Sequence, residues 1–260
     1  MSRPPRANYD QIAHLYDSQP YRSREIDPEF LTFLRERPAQ AAPAMLDIAC
    51  GTGNQLISNR AAVPGCIAVG ADRSRGMLRQ AVAKTREIAW LQADSAALPF
   101  AAESFDFVCC QFAFHHFQDK AEMLRETYRV LRLDGRFVLR NLCPEQSENW
   151  LYYRYFPESF VVDLLDFWPT DAIAAVMETA GFAPVEVKFE HLRFDVNFTE
   201  WLASVRSRRD TCSQLQAISD EAYAAGVRRL EAVVAGASEP VVRGDHLCMV
   251  TVRGDKSGRG

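Results

Sequence analysis

The run AMLDIACGTG, residues 44–53, governs how the rest of the chain is read. Ala44–Ala49 is short and apolar, follows Pro43 and ends at Gly51-Thr52-Gly53, the mark of a strand running into a sharp turn. Glycine reaches positive φ without steric cost and lets a ligand approach the backbone closely. Asp47 sets a carboxylate beside this turn, suited to a cationic ammonium or to orienting the loop.

Outward from this run, short apolar segments alternate with helical patterns, the signature of βαβ units and a parallel sheet. Cys66–Ala71 is a second strand, Ile88–Leu91 a third, and Phe105–Cys110 a fourth, apolar enough to be central. Ser74 can cap a helix over Arg75–Arg86. Asp119 with Glu122 resembles a capping box opening a helix to about Leu131. Asp134-Gly135 reads as a turn before a fifth strand, Arg136–Leu142. A helix over Thr170–Ala180 closes at Gly181. Ala183–Phe189 and His246–Val252 give strands six and seven. Residues 1–43 hold two predicted helices, Asn8–Tyr16 and Pro28–Arg37, while 143–169 is aromatic-rich and 197–240 reads as helices.

A glycine turn and two acids follow one another at the ends of the first three strands, and together they form a strong signal. Asp72, at the end of strand two, can accept both hydroxyls of a ribose, as nucleoside cofactors are held in doubly wound sheets. Asp94-Ser95, after strand three, can reach an adenine amino group. The plainer alternative makes Asp47 and Asp94 turn or cap residues. The crevice beyond the carboxyl ends of such strands is where ligands bind.

Composition narrows the classes. A chain of 260 residues, 48% hydrophobic, is large enough for one or two self-sufficient domains. No stretch approaches the roughly 20 apolar residues of a membrane span. The start, MSRPPRAN, is charged with no apolar run behind it, so no secretory leader is expected. Seven cysteines, an odd number sited mostly in apolar runs, read as reduced thiols of a cytoplasmic protein. With 30 basic against 34 acidic residues, no nucleic-acid partner and no membrane association are expected. No His/Cys set has zinc-ligand spacing, so no metal is expected.

The chain resembles the class I S-adenosylmethionine-dependent methyltransferases, of the type that includes quinone-biosynthesis and other small-molecule enzymes. The resemblance rests on LDIACGTG (46–53), GADRSRGML (70–78), QADSAALPFAAESFDFVCCQFAFHHF (92–117) and ETYRVLRLDGRFVL (126–139). ANYDQIAHLYD (7–17) looks like the helix that closes over the cofactor in this family. It implies an α/β, Rossmann-like, doubly wound sheet of seven strands with the last antiparallel. A helical N-terminal lid at 1–43 and a domain at 44–260 with cap insertions at about 143–169 and 197–240 are expected with it.

By position, the resemblance implies that Asp47, Ala49, Gly51 and Gly53 cradle the methionine part of S-adenosylmethionine, which leaves as S-adenosylhomocysteine. Asp72 would take the ribose, Arg73 and Met77 would flank the adenosine, Asp94 and Ser95 would face the adenine, and Gln111 would lie near the sulfonium. Tyr16 and Arg22 would cover the methionine end. Two departures stand out: Ala49 replaces the usual first glycine, and Asp134-Gly135-Arg136 replaces a Pro-Gly-Gly turn.

Methyl transfer is an in-line displacement in which positioning does most of the work, and a base is needed only when the acceptor enters protonated. His115 and His116, past strand four, are the candidates, with pocket lining as the alternative. His191 is read as structural or substrate-contacting at the end of strand six, and His14 as packing as readily as function. The aromatic cluster either packs a cap or grips an aromatic acceptor through Tyr152 or Tyr153, which as neighbours cannot both face a pocket. No Asn/Asp-Pro-Pro-aromatic tetrad follows strand four, unlike in base-amino methylases, and the turn lacks the third glycine of a nicotinamide fingerprint. The expectation is a methyltransferase acting on a small, partly apolar or aromatic molecule, as a monomer or homodimer. The alternatives are a macromolecule modifier and a cofactor-binding protein without transferase activity.

Overall fold

Residues 8–18, 24–37 and 42–258 are described by a computed structural model. Seven strands, β1 (Ala44–Ile48), β2 (Ile67–Asp72), β3 (Ala89–Gln92), β4 (Phe105–Gln111), β5 (Leu131–Leu142), β6 (Val185–Asn197) and β7 (Val242–Asp255), form one sheet in the order β3-β2-β1-β4-β5-β7-β6. The first five pair in parallel. β7 runs antiparallel to β5: Asp134 N donates to Lys256 O near one end, and Cys143 N to Cys248 O near the other. The strand order reverses between β1 and β4, so their carboxyl ends flank a topological switch point.

The chain divides into two compact units. The first holds Tyr9–Asn141, Thr170–Lys188 and the chain from Thr251; the second holds Leu142–Pro169 and Phe189–Val250, with Asn8. The two stretches expected as separate caps, 143–169 and 197–240, therefore belong to one body, and both N-terminal helices belong to the sheet-bearing unit.

In the first unit, α1 (Tyr9–Tyr16) and α2 (Pro28–Glu36) precede the sheet, and α3 (Asn54–Ala62), α4 (Arg75–Lys84), α5 (Lys120–Val130) and α8 (Thr170–Ala180) interleave with its strands. α2 starts where Asp27 accepts from Glu29 N and proline takes the first turn, which lacks a backbone partner anyway. Its buried face sets Phe30 and Phe33 on Phe107 of β4, ring centroids 5.0 and 5.4 Å apart. Met45, Leu56, Cys109 and Val138 complete that core. At its margin, Arg136 meets both oxygens of Asp255, at 2.7 and 2.9 Å, and Glu36 at 2.7 Å, tying β5, the end of β7 and α2 together. The capping expectations for α4 and α5 hold: Ser74 accepts from Met77 N and Asp119 from Glu122 N.

In the second unit, α6 (Leu151–Tyr155), α7 (Pro157–Asp166), α9 (Phe198–Ser207), α10 (Ser213–Gln216) and α11 (Asp220–Ala235) enclose a core of Leu151, Phe156, Phe198, Trp201, Leu202, Val205 and Leu230.

Three strand expectations are corrected, the simplest being β7, which runs from Val242 to Asp255 where His246–Val252 was expected. β5 starts at Leu131, not Arg136. Asp134, at φ +62°, makes a bulge where the β4 register shifts between Phe105 and Phe107, so the strand continues through the expected turn. β6 extends to Asn197, which puts His191 in mid-strand and not at its end. All seven cysteines are free. Among the described residues no helix is long and apolar enough to cross a membrane, and no group of three or more His, Cys, Asp or Glu is placed to hold a metal ion.

Candidate active site

The turn after β1 places three left-handed residues at alternate positions: Ala49 (φ +58°), Gly51 (φ +57°) and Gly53 (φ +80°). Cys50 N donates to Ala71 O and Gly53 N to Cys50 O, so the turn closes on itself and is tied to β2. A Cβ on Gly51 would meet nothing nearer than Tyr16 Cε1, at 4.0 Å, leaving this side of the turn open. A Cβ on Gly53 would run into the Trp90 ring, so that glycine serves packing as well as conformation.

Asp72 ends β2 with both carboxylate oxygens anchored, Oδ2 by Gly51 N at 2.8 Å and Oδ1 by Ser74 N at 2.8 Å. The Arg73 amide adds a third bond, and since a carboxylate has about four lone-pair sites its orientation is fixed with acceptor capacity left over. Asp47, buried in β1, takes a hydrogen bond from the Cys109 thiol. A third acid comes from α2: the other oxygen of Asp27 receives Gln111 Nε2 at 2.6 Å, and the Asp27 amide donates to Asn59 Oδ1 at 2.8 Å.

These three carboxyls share one electrostatic situation. Burial raises Asp27, Asp47 and Asp72 above the usual carboxylate range, and Asp47 reaches about 7, with the charges of Asp72 and Asp27 pushing it further. Arg24 opposes the rise at Asp47 and Arg140 at Asp27. Such a cluster suits a cationic ligand, whose charge would relieve both burial and repulsion.

Helix α1 and the residue after it are bonded to the chain following β2 and β1. Asp10 Oδ1 accepts from Gly76 N at 2.5 Å and Ser74 Oγ at 2.8 Å, and those two bonds hold it below the ordinary range. Asp17 accepts from Thr52 Oγ1 at 2.6 Å and Asn54 Nδ2 at 2.9 Å and pairs with Lys84 at 2.5 Å. Although burial pulls Asp17 upward, Lys84 and Thr52 keep it low. Tyr9 places its hydroxyl 2.7 Å from His116 Nε2. Tyr16 packs edge-on to Tyr9, with centroids 6.4 Å apart.

Past β4, Phe112 adopts φ +56° and its backbone N–H donates to Arg140 O at 2.8 Å. Bulky residues rarely adopt this region, and such strain gathers at functional sites. Arg24 lies 5.3 Å over the Phe112 ring. The 3-10 turn Phe114–His116 then presents both histidines, rings 3.8 Å apart; His115 is buried with Nδ1 3.4 Å from Asn141 Nδ2.

The first unit therefore gathers Tyr16, Asp47, Ala49, Gly51, Gly53, Asp72, Gln111, His115 and His116 at the ends of β1, β2 and β4. Arg73 is exposed on the turn after β2, and Met77 is buried in the first turn of α4. Asp94 accepts from its own Ala96 N at 3.0 Å, as a turn residue does, with Ser95 half-buried beside it. Arg22 lies outside the described residues. Tyr152, Tyr153 and His191 belong to the second unit. There Tyr153 is 3% exposed and donates to Asp163 at 2.8 Å, Tyr152 packs on Trp150 and Trp201, and His191 is exposed and stacked on His246. Sequence reading placed Tyr9, Asp10 and Asp17 in the stretch expected to close over the cofactor without giving any of them a role, and it missed Arg24 and Asp27, of which only Asp27-Pro28 leaves a local signal, that of a helix start.

Residues 46–139 match the family model described as a methyltransferase domain. The chain is 34% identical over 184 residues to a demethylmenaquinone methyltransferase of Thermus thermophilus, covering 60% of this chain and 80% of that protein. It is 29% identical over 210 residues to one of Thermotoga maritima, covering 72% and 90%. The chain belongs to the S-adenosylmethionine-dependent methyltransferases. The fold of the methyltransferase is shared with a Haemonchus contortus phosphoethanolamine N-methyltransferase solved with S-adenosyl-L-methionine, at TM-score 0.59 and 20% identity over 96% of this chain and 57% of that one. Its relatives agree with a small-molecule acceptor.

Proposed function

We propose that the methyltransferase binds S-adenosylmethionine in the first unit and methylates a small aromatic, partly apolar acceptor, with His116 receiving the acceptor's proton. The observation that carries the reading is the Asp72 carboxylate, held between the amides of Gly51 and Ser74 with lone pairs to spare for a ribose diol. The open side of Gly51 and the buried acids Asp27, Asp47 and Asp72 fit a ligand that carries positive charge.

When bound, S-adenosylmethionine supplies an electrophilic methyl group on a sulfonium. Asp47 and Asp27 favour cationic over neutral ligands, so the same carboxyls hold the demethylated, neutral product less firmly. Tyr16, on α1, is the side chain nearest the open side of Gly51. Tyr9 fixes the His116 ring through Nε2; in the tautomer where Tyr9 donates, the acceptor's proton passes to the Tyr9 oxygen as the phenol's own proton passes to Nε2, so that His116 takes up the charge through Tyr9. Two relatives are named for demethylmenaquinone, and from those names we carry over only the class of acceptor, an aromatic ring of apolar character.

Calorimetric titration with S-adenosylmethionine tests the cofactor half. Asp72→Ala is expected to weaken binding by about 1–3 kcal/mol through the lost charge-assisted bonds; an unchanged affinity in folded protein removes Asp72 from the site. Turnover of a naphthohydroquinone tests the rest. His116→Ala should keep cofactor affinity within a few-fold while turnover falls by about 10²–10⁴-fold, the usual share of a general base. Tyr9→Phe should lose less. Methylation of RNA or protein in place of the hydroquinone would give the acceptor to a macromolecule, and cofactor binding with no product from any of these would favour a binding protein.

A further inference from the structure

The second unit contains a cavity of about 650 Å³ whose walls come from that unit alone: residues around α6, the second half of β6 and the start of β7. This volume lies within the ordinary range of metabolite sites. Two guanidinium groups line it from different elements, Arg154 on α6 and Arg193 on β6. Neither has a hydrogen-bond or ion-pair partner among the described residues; Arg154 only feels Asp245 at longer range. By contrast, Arg206 and Arg209 in the same unit are each paired with an acid.

The acids on the wall are unequal. Asp245 is committed to the backbone: its Oδ1 accepts from Leu151 N at 2.9 Å and His246 N at 2.8 Å, capping the start of α6. Asp195 is the wall carboxylate left without a partner among the described residues. His246 adds an imidazole, its Nε2 3.0 Å from Nδ1 of His191 and the two rings nearly parallel. Leu151 and Phe194 give the cavity an apolar wall.

Two arginines from different elements on the wall of one half-apolar cavity, neither with a partner among the described residues, supply the chemistry of carboxylate and phosphate recognition. We propose that this cavity binds a small oxyanion-bearing metabolite, its carboxylate or phosphate held by Arg154 and Arg193. Asp195 sets the limit on charge, disfavouring a ligand with a second anionic group on its side. The inference is independent of the methyl-transfer chemistry.

Full-length protein titrated calorimetrically at low ionic strength with inorganic phosphate, and separately with benzoate, tests it and tells the two oxyanions apart. At least one should bind below about 10 mM, and Arg154→Ala and Arg193→Ala should each weaken it about tenfold or more. Asp195→Asn should tighten it, and Arg193→Lys should recover only part of the loss because the fork is gone. Both arginines are exposed, so the fold tolerates these changes. Asp72→Ala should leave anion binding unaltered. Failure of both anions to bind, or binding unchanged in both arginine variants, would overturn the proposal.

Discussion

Ala49 carries a cost that glycine would not. At φ +58° its Cβ crowds the backbone, a strain of roughly 1–2 kcal/mol for an L-residue. Ala49→Gly should therefore stabilise the protein by about 1 kcal/mol, less whatever glycine adds to the entropy of the unfolded chain. A rise in the urea midpoint at unchanged slope checks this, and a fall would mean that the Ala49 methyl makes packing contacts worth more than the strain. The departure from the family glycine was visible in the sequence; its conformation was not, since nothing local states that an alanine sits in left-handed backbone. Asp72 was legible because its role follows from its place at the end of a strand. Asp27 was legible only as a helix cap, because its partner Gln111 lies 84 positions away.

Among the elements, α1 is the clearest case of a contact written into two distant segments. A Cβ on Gly76 would sit 2.8 Å from both Asp10 Cα and Asp10 O, so the glycine in the first turn of α4 is what lets the α1 backbone come down onto it. Gly76→Ala is expected to lift α1 off its seat while the sheet stays intact. Hydrogen–deuterium exchange should show faster exchange across residues 9–16 with the β4 and β5 amides unchanged; protection of α1 equal to the parent protein would show that the helix shifts to accommodate the methyl. Strands β1 to β4 were legible because apolar runs bounded by turns are local signals. The ends of β5 and β6 were not, since a bulge at Asp134 and the bonds from Phe198 N to Val241 O and Ala183 N to Asp255 O decide them over long range.

For the molecule as a whole, buried carboxyls tie stability to pH in a definite direction. Asp47 titrates near 7 when folded and near the ordinary aspartate value when unfolded, so the folded state binds its proton more tightly. Its contribution is fully present below about pH 4 and is lost as pH rises to about 7. Unfolding midpoints of the parent and of Asp47→Asn, measured at pH 5 and pH 8, should show the parent losing stability relative to the variant at the higher pH; an unchanged difference would mean that Asp47 ionises normally. The alternation of strands and helices announced the sheet, but the union of 143–169 and 197–240 in one body was not readable, because helices that do not alternate with strands carry no mark of what they pack against.

The chain has four tryptophans, and three of them, Trp150, Trp168 and Trp201, belong to the second unit. The fourth, Trp90, lies against the α-carbons of Gly53 and Gly70 and donates its indole N–H to Thr85 O. Its ring is thus the floor of the turn whose other side is open. The protein carries its own optical reporter of that turn: with the other three tryptophans replaced by phenylalanine, emission from a single indole follows the glycine loop in real time, with no dye attached.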